Sequence, residues 1–497
     1  MRSTFMGLEI SKQGMYAQQS ALHTTGNNIS NANTPGYSRQ RVTFEAGNPY
    51  PSISMNSPAI PGQMSTGVNA QTVERVRNSF LDGQYRDENN KTGYWQSRAD
   101  SLKQMEDIMN EIGDNALTGT MNKFWGSLQD LAAGPGNSGA RSVVVENGTA
   151  VAETFNYLSD SLKNVQGNLG KDLENGTDTV NSLVSQLNEI NKQIGQVEPN
   201  GYLPNDLYDQ RDQLLDELTT YANINVTYND PKGHALPMAE GTVNIELLDA
   251  NKNTLGSLLN GNTNQFNQMN VEYDNGSGLV SGMKVGSQTI NADQFTSIGK
   301  VKSLMDSYGS IESAGKEQGV FPEMLQKLDQ MAHSFAEKFN AVHQSGTTLK
   351  GDNGAAFFDF NPGGNLPSGA ASLIKVADTI KASTDNIAAS GNGDLGDGSN
   401  ATRLAEVKND PAIADYYEGV IGEMGVKARE ANRLASNSTL LASSADQRRQ
   451  SVSAVSLDEE MTNMIQFQHA YNASARMITL QDEILDKIIN GMGVVGR

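Results

Sequence analysis

Apolar positions at the two ends of the chain recur with the same spacing. From the N-terminus, Phe5, Leu8, Lys12, Met15, Gln19, Leu22, Gly26 and Ile29 step by three and four, and five of these eight are apolar. Near the C-terminus, Leu457, Met461, Met464, Gln468, Tyr471, Ala475, Ile478, Asp482, Leu485 and Ile489 follow the same rhythm, and eight of the ten are apolar. A sustained seven-residue repeat makes a narrow stripe suited to a coiled-coil seam. Ser456-Leu457-Asp458-Glu459 fits a capping box at the start of the C-terminal helix, and Gly491 and Gly493 suit its end. From 457 to 489 that helix would run ~50 Å at 1.5 Å per residue. An isolated helix of this kind is marginal in water. The ends are therefore expected to pair with each other and with neighbouring copies. The expected assembly residues are Phe5, Leu8, Met15, Leu22 and Ile29 in one seam. In the other they are Leu457, Met461, Met464, Tyr471, Ala475, Ile478, Leu485 and Ile489. The plainer alternative folds both ends back on the body as ordinary amphipathic helices.

Between residues 85 and 220 the pattern is again helical. One stretch carries Trp95, Leu102, Met105, Ile108, Met109 and Ile112, and a second carries Phe124, Leu128 and Leu131. Ala133-Gly134-Pro135-Gly136-Asn137 interrupts. A long helix is then predicted through Phe155, Leu162, Leu169, Val180, Leu187 and Ile194, heptad-spaced apart from a stutter around Leu169. Glu198-Pro199-Asn200-Gly201 ends it, and Asn205 to Leu218 reads as another helix. From 223 to 300 the period shortens to alternation, in Ile224–Tyr228, Val243–Leu247 and Val271–Tyr273, with turn pairs Asn260-Gly261 and Asn275-Gly276 between. Helix returns over Phe321 to Val342, 345–400 is rich in Gly and Asn, and a helical span from 411 to 450 leads into the C-terminal helix. The fold class read from this order is α+β. It is an elongated multi-domain rod with long coiled-coil-like terminal and core helices and an inserted β-rich outer domain. The expected divisions are a terminal coiled-coil domain with its N-terminal joint (1–60 and 451–497), a discontinuous helical core with some β-hairpin (61–222 and 311–450), and the β-rich outer domain (223–310).

Composition sharpens the picture. Hydrophobic residues are 37% and aromatics 6% of 497, so cores are thin and surface is extensive. The net charge of −20, with no basic cluster against it, argues against a nucleic-acid partner. No apolar run approaches the ~18 residues of a membrane span, so no membrane partner is expected. The N-terminus lacks the apolar stretch and small-residue cleavage site of a secretory signal. Cysteine is absent, which excludes disulfides, thiol nucleophiles and thiolate metal sites.

Candidate chemistry is sparse. None of His23, His234, His333, His343 and His469 has a second ligand at metal spacing, and His333 and His343 read as core-edge or surface positions. Gly391-Asn392-Gly393-Asp394-Leu395-Gly396 matches a dinucleotide fingerprint but follows no strand and opens no apolar helix, so it reads as a loop. Asp394 and Asp397 lack the rest of a calcium loop. The charged run Asp209, Arg211, Asp212, Asp216 and Glu217 reads as a solvated helix face. No catalytic constellation, cofactor site or metal site is assigned, and the chain is not expected to be an enzyme.

One segment stands apart: Asn27-Asn28-Ile29-Ser30-Asn31-Ala32-Asn33-Thr34-Pro35-Gly36-Tyr37-Ser38-Arg39-Gln40. Its Asn cluster favours helix ending, and Pro-Gly favours a turn. The stretch from Asn28, with Asn31, Asn33, Thr34, Pro35, Gly36 and Tyr37 as its joint, resembles the N-terminal signature of the flagellar axial proteins of the rod, hook and hook-associated classes. Met461 to Ile478 is similar to their paired C-terminal signature. Within the family, Ser38-Arg39-Gln40, Asn205 to Leu218, and Asp385 to Ser390 with Asn400-Ala401 resemble the hook-associated members of the hook–filament junction. The β-rich insert carries no such signature and is short for the family, so a further outer domain is expected to be reduced or absent. The resemblance implies a structural protein of the extracellular flagellum that self-associates in a ring between hook and filament. It implies contact with hook protein and with the second hook–filament junction protein, and an export chaperone on the C-terminal helix. It also implies export in the unfolded state through the flagellar type III apparatus. The runner-up is hook protein or another axial component; an enzyme site within the β-rich insert is the alternative from a different class.

Overall fold

The computed structural model describes residues 5–51, 55, 62, 63, 65–109, 117–360 and 368–491. Ile112 and Gly493, placed above on helix and helix end, lie outside the described residues. In chain order the elements begin with α1 (Met6–Ser30), the hairpin β1 (Gln40–Ala46) and β2 (Val68–Arg75), α2 (Ser79–Met109), α3 (Leu117–Ala133), α4 (Ser138–Val197) and α5 (Asn205–Tyr221). The strands β3 (Ile224–Tyr228), β4 (Val243–Leu248), β5 (Thr254–Asn260), β6 (Gln265–Phe266), β7 (Met269–Tyr273), β8 (Val280–Val285) and β9 (Gln288–Asn291) follow. Then come α6 (Lys300–Tyr308), β10 (Ser310–Ile311), β11 (Glu317–Gln318), α7 (Val320–Gln344), β12 (Phe358–Phe360), α8 (Ala370–Leu373), β13 (Ile374–Val376), α9 (Asp378–Ala382), α10 (Ser399–Glu406), α11 (Ala414–Ser453) and α12 (Leu457–Gly491). Long helices with a sheet-containing middle make this an elongated α+β protein.

The 60 residues of α4 form the spine. Asn137 caps it by accepting from the N–H groups of Gly139 and Ala140 at 2.9 and 3.4 Å. Its apolar residues from Val144 to Ile194 are buried along one side, against α3, α5, α6, α7 and strands of both larger sheets. It ends at Val197, and Gly201 turns the chain with φ of 81°. Few aromatics are available, and they are pooled. Phe124, Trp125, Phe155, Phe335, Phe339, Phe357 and Phe358 interlock with ring centroids 4.9–6.3 Å apart. Gly148 makes room for them, since a Cβ there would stand 2.9 Å from the Phe357 ring.

The strands β3-β4-β5-β6 form an antiparallel meander. In the other larger sheet β8 holds β7 and β9 antiparallel and meets β10 in parallel, with β11 on the outer side of β10. A recurrent device fastens helix to strand. The Asn191 carboxamide accepts from the N–H of Val243 at 3.0 Å and donates to its C=O at 2.8 Å, so both backbone groups at the start of β4 are satisfied by α4. Asn181 does the same for Met269 at the start of β7, and Asn340 of α7 for Phe358 at the start of β12. Each closes a two-bond ring that a sheet neighbour would otherwise supply.

His343 departs from its expected place at the core edge. It is fully buried, with Nδ1 2.6 Å from the Ala355 carbonyl and Nε2 accepting from the Ala388 N–H at 3.0 Å. These bonds require the neutral ring with its proton on Nδ1. Burial is the main reason its pKa falls from 6.5 to about 4. An unfolded chain binds a proton there between those values and the folded chain does not. The contribution of neutral His343 is thus complete above about pH 6.5 and is lost as pH falls toward about 4, by roughly 3 kcal/mol in all. In urea unfolding, the stability difference between the native chain and His343→Gln is expected to shrink across that window; a pH-independent difference would refute the assignment.

Candidate assembly site

The two chain ends lie against each other as antiparallel helices. A Cβ on Gly7 would stand 2.8 Å from the Gln481 side chain, and one on Gly14 would stand 3.4 Å from Ser474 Oγ. Asn28 Nδ2 lies 3.1 Å from Glu460 Oε2. The seven residues from Gly7 to Gly14 match the seven back from Gln481 to Ser474, and the fourteen on to Asn28 match the fourteen back to Glu460. One register therefore runs the length of the pair. Its facing line on α1 is small, with Gly7, Gly14 and the buried Ala21 and Asn28 at heptad spacing. Small residues let the backbones approach.

Leu8, Met15, Leu22 and Ile29 each follow that line by one residue, about 100° round the helix, and are half-buried on its flank; Phe5 is 59% exposed. On α12, Met464, Tyr471, Ala475, Ile478 and Leu485 are half-buried, while Leu457, Met461 and Ile489 stay exposed. Ile465, Met477, Leu480, Ile484 and Ile488 are exposed as well, and Glu460 is the buried residue of the helix. The single chain thus leaves much apolar surface of α12 uncovered.

The joint after α1 is a fully satisfied polar knot. The Asn28 carboxamide, nearly inaccessible, accepts from the Gln40 N–H at 3.0 Å and from the Tyr37 hydroxyl at 2.9 Å. It donates to the Gln40 carbonyl at 2.8 Å and to Glu460. This repeats at β1 the Asn–strand device of the body. Asn31 donates to Asn27, and the Thr34 N–H and Tyr37 N–H step the chain round through Asn31 and Thr34. Gly36, with φ of 78°, sits over Gln213; Asn33, Thr34, Pro35 and Gly36 are exposed. Arg39 pairs with Glu460 and Glu459, each at 2.8 Å, and its N–H donates to the Ser453 carbonyl at 2.8 Å, clamping the bend between α11 and α12. Phe44 of β1 meets Phe467 of α12 edge-on at 6.2 Å. Burial and the nearby Asp209 push the Tyr37 hydroxyl well above its ordinary value, so it remains a donor.

Below the joint the charged run of α5 is largely withdrawn from solvent, with Glu217 left exposed. Arg211, Asp212 and Asp209 are buried, which corrects the surface reading. Asp212 lies 2.9 Å from Arg75, 3.3 Å from Arg77 and 3.2 Å from Arg86, with Arg211 at 4.0 Å. Arg75 also binds Asp209 at 2.7 Å and Glu240; Arg77 grips Asp82 through two bonds of 2.9 and 3.0 Å. Arg86 binds Asp216 at 2.8 Å, and Arg449 joins Asp216 to Asp446 while lying 4.0 Å over the Tyr85 ring. Tyr208 lies within 5.0 Å of both the Arg75 and Arg211 guanidinium groups. Burial by itself would push the Asp212 carboxyl up; Arg77, Arg211, Arg75 and Arg86 hold it well below the usual carboxylate range. The sequence signal for this hub was the spacing of Asp209, Asp212 and Asp216 on one helical face, together with arginines clustered between 75 and 86. Nothing in a single sequence brings those two segments together. Among the described residues no group of His, Asp and Glu has the arrangement of a metal site, and no helix is long and apolar enough to cross a membrane.

Three family descriptions match the chain, and all are flagellar. They are the flagellar hook-associated protein FlgK helical domain at residues 102–358, the flagellar basal body rod FlgEFG protein C-terminal region at 446–491, and the flagella basal body rod protein at 8–37. A helical body whose two paired ends both match axial segments defines an axial structural protein of the bacterial flagellum. More narrowly, the chain belongs to the flagellar hook-associated protein 1 family. It is 53% identical to flagellar hook-associated protein 1 of Bacillus subtilis (strain 168) over the whole of both chains. It is 22% identical to that of Escherichia coli (strain K12), over 96% of this chain and 98% of the relative. Its fold matches the flagellar hook junction protein FlgK from Burkholderia pseudomallei with a TM-score of 0.58 at 13% identity, over 76% of this chain and all of that one.

Replacing Asp212 by Asn leaves buried guanidinium groups short of their counter-charge. A loss of about 3–5 kcal/mol in urea unfolding is expected, against less than about 0.5 kcal/mol for the exposed Glu153→Gln. Equal, small effects would mean the hub is solvated after all.

Proposed function

We propose that the chain forms the joint between hook and filament of the flagellum, as a ring of copies assembled through the terminal helices. The observation that carries this reading is the incomplete burial of α12, whose apolar residues Met461, Ile465, Leu480, Ile484 and Ile488 are exposed in one chain although both ends are already paired. Such a surface calls for further helices, and neighbouring copies supply them. In this reading the terminal element comprises 1–60 and 451–497, the core 61–222 and 311–450, and the β-rich part 223–310 faces outward. Hook protein lies on one side and the second junction protein on the other. The subunit leaves the cell unfolded through the type III apparatus after an export chaperone has covered α12, a route suited to a chain with no cysteine. The role is structural, and no residue is assigned to catalysis.

Gold-tagged antibody on isolated flagella is expected to mark a single band between hook and filament under the electron microscope; label spread along the hook would assign the chain to another axial position. Met464→Glu and Ile478→Glu are each expected to block incorporation while leaving the thermal unfolding of the body unchanged, and normal incorporation of both would remove these residues from the seam. In the dilute monomer, amides of 461–489 should exchange with solvent far faster than those on the buried side of α4, because α12 has so little buried surface.

A further inference from the structure

The apolar core stops short of the terminal element. The continuous buried cluster runs from Ala99 to Ala435 and takes in no described side chain of α1, β1, β2 or α12. Buried apolar residues of the terminal element, Ala17, Ala21 and Val42, lie outside it. On one flank an open groove of about 980 Å³ separates the two parts, with Ser20, His23 and Asn27 of α1 on one wall and Tyr202, Leu203 and Asp206 on the other. Charge and hydrogen bonds bridge them instead. Arg75 reaches Asp209 and Asp212 on α5, Arg77 reaches Asp82 and Asp212, the Ser38 N–H donates to Asp209 at 3.0 Å, and Asn205 donates to the Val73 carbonyl at 2.9 Å.

We propose that Arg75 and Arg77 are the positioning residues of the terminal element. They anchor the β1–β2 hairpin, which pairs β1 of the terminal element with β2 just past its bound at residue 60, to the acidic face of α5, and hold it there before the terminal helices find their partners. This rests on the reading of those helices as the assembly element. A two-stranded hairpin is marginal in water by itself, and a lone helix pair with one buried residue on α12 is little better. A hairpin pinned by buried ion pairs is a different object. Asp209, Asp212 and Asp216 fall on one face of α5 by their spacing of three and four, and the two arginines close the side of that face which the body leaves open. The anchored strand then carries the order onward. Gln40 of β1 binds Asn28 through both its backbone groups, so the last turn of α1 is held wherever the hairpin is held. The anchor also demands arginine. Arg75 spans Asp209, Asp212 and Glu240 with one planar fork while lying 5.0 Å from the Tyr208 ring, and a lysine ammonium has no such reach.

The test is hydrogen exchange read by mass spectrometry on the full-length monomer. Two charge-balanced variants, Arg75→Gln with Asp209→Asn and Arg77→Gln with Asp82→Asn, each remove an anchor without changing the net charge. In the native chain, 40–46 and 68–75 should be protected while 461–489 exchange fast. Each variant should lower the protection of the hairpin about tenfold or more with α4 unchanged, and Arg75→Lys should restore little of it. The proposal is overturned if the native hairpin exchanges as fast as α12, or if the variants keep native protection. It is equally overturned if α4 loses protection together with the hairpin, since the arginines would then support the whole body. The exchange result is read on the monomer, so it stands or falls separately from the position of the protein on the flagellum.

Discussion

One carboxylate, that of Asp212, lies among four guanidinium groups drawn from β2, the segment after it, α2 and its own helix. Taking such charges out of water costs several kcal/mol each, and the attraction between them offsets that cost only when every partner is in place. The net contribution of the hub to stability is therefore small, while removing any one member is costly. Asp212 and Asp216 between them engage Arg75, Arg77, Arg86 and Arg449. Through them the hairpin, α2, α5 and α11 meet at a single point, although Arg75 and Arg449 are separated by most of the chain.

That constraint matters because the protein has little apolar material to specify its shape. At 37% hydrophobic residues, a long spine cannot be wrapped in a thick core. Asparagine does part of the work. Asn28, Asn181, Asn191 and Asn340 each hold both backbone groups of the first residue of a strand, at β1, β7, β4 and β12. Each such pair sets where a strand begins relative to a helix, which fixes register without needing bulk. The abundance of Asn in the sequence is in this sense structural, not merely a mark of loops.

Periodicity made the long elements legible. The terminal helices, α4, α7 and the alternating strands of the insert follow from apolar spacing, because a stripe of side chains must be buried against something whatever the tertiary arrangement. Features that depend on partners distant in sequence were not legible. Asp209, Arg211 and Asp212 look like any solvated helix face until Arg75, Arg77 and Arg86 arrive from more than a hundred residues away. Some β-hairpin was expected in the core, but these strands, one of them before residue 61, were not placed, because a long Pro- and Ser-containing stretch separates them and they carry polar residues at most positions. His343 looked peripheral because its two partners are backbone groups, at Ala355 and Ala388, and backbone groups leave no trace in composition.

The same reasoning accounts for the gap between the apolar stripe of α1 and the line that meets α12. A helix pairs closely along its smallest residues when the gain is backbone approach, and Gly7, Gly14 and Ala21 provide that line. Leu8, Met15 and Leu22 then stand beside the contact, neither in water nor in a core. α1 already packs against α12 and against both strands of the β1–β2 hairpin, and the half-buried line of Leu8, Met15 and Leu22 lies beside the α12 contact. That half-buried line and the exposed apolar residues of α12 are the surfaces on which the proposed packing of neighbouring copies rests. On the reading proposed above, the antiparallel pair is the unit from which a larger helical layer is built, and the polar knot at Asn28 and the ion hub beneath it would set the direction from which each chain enters that layer.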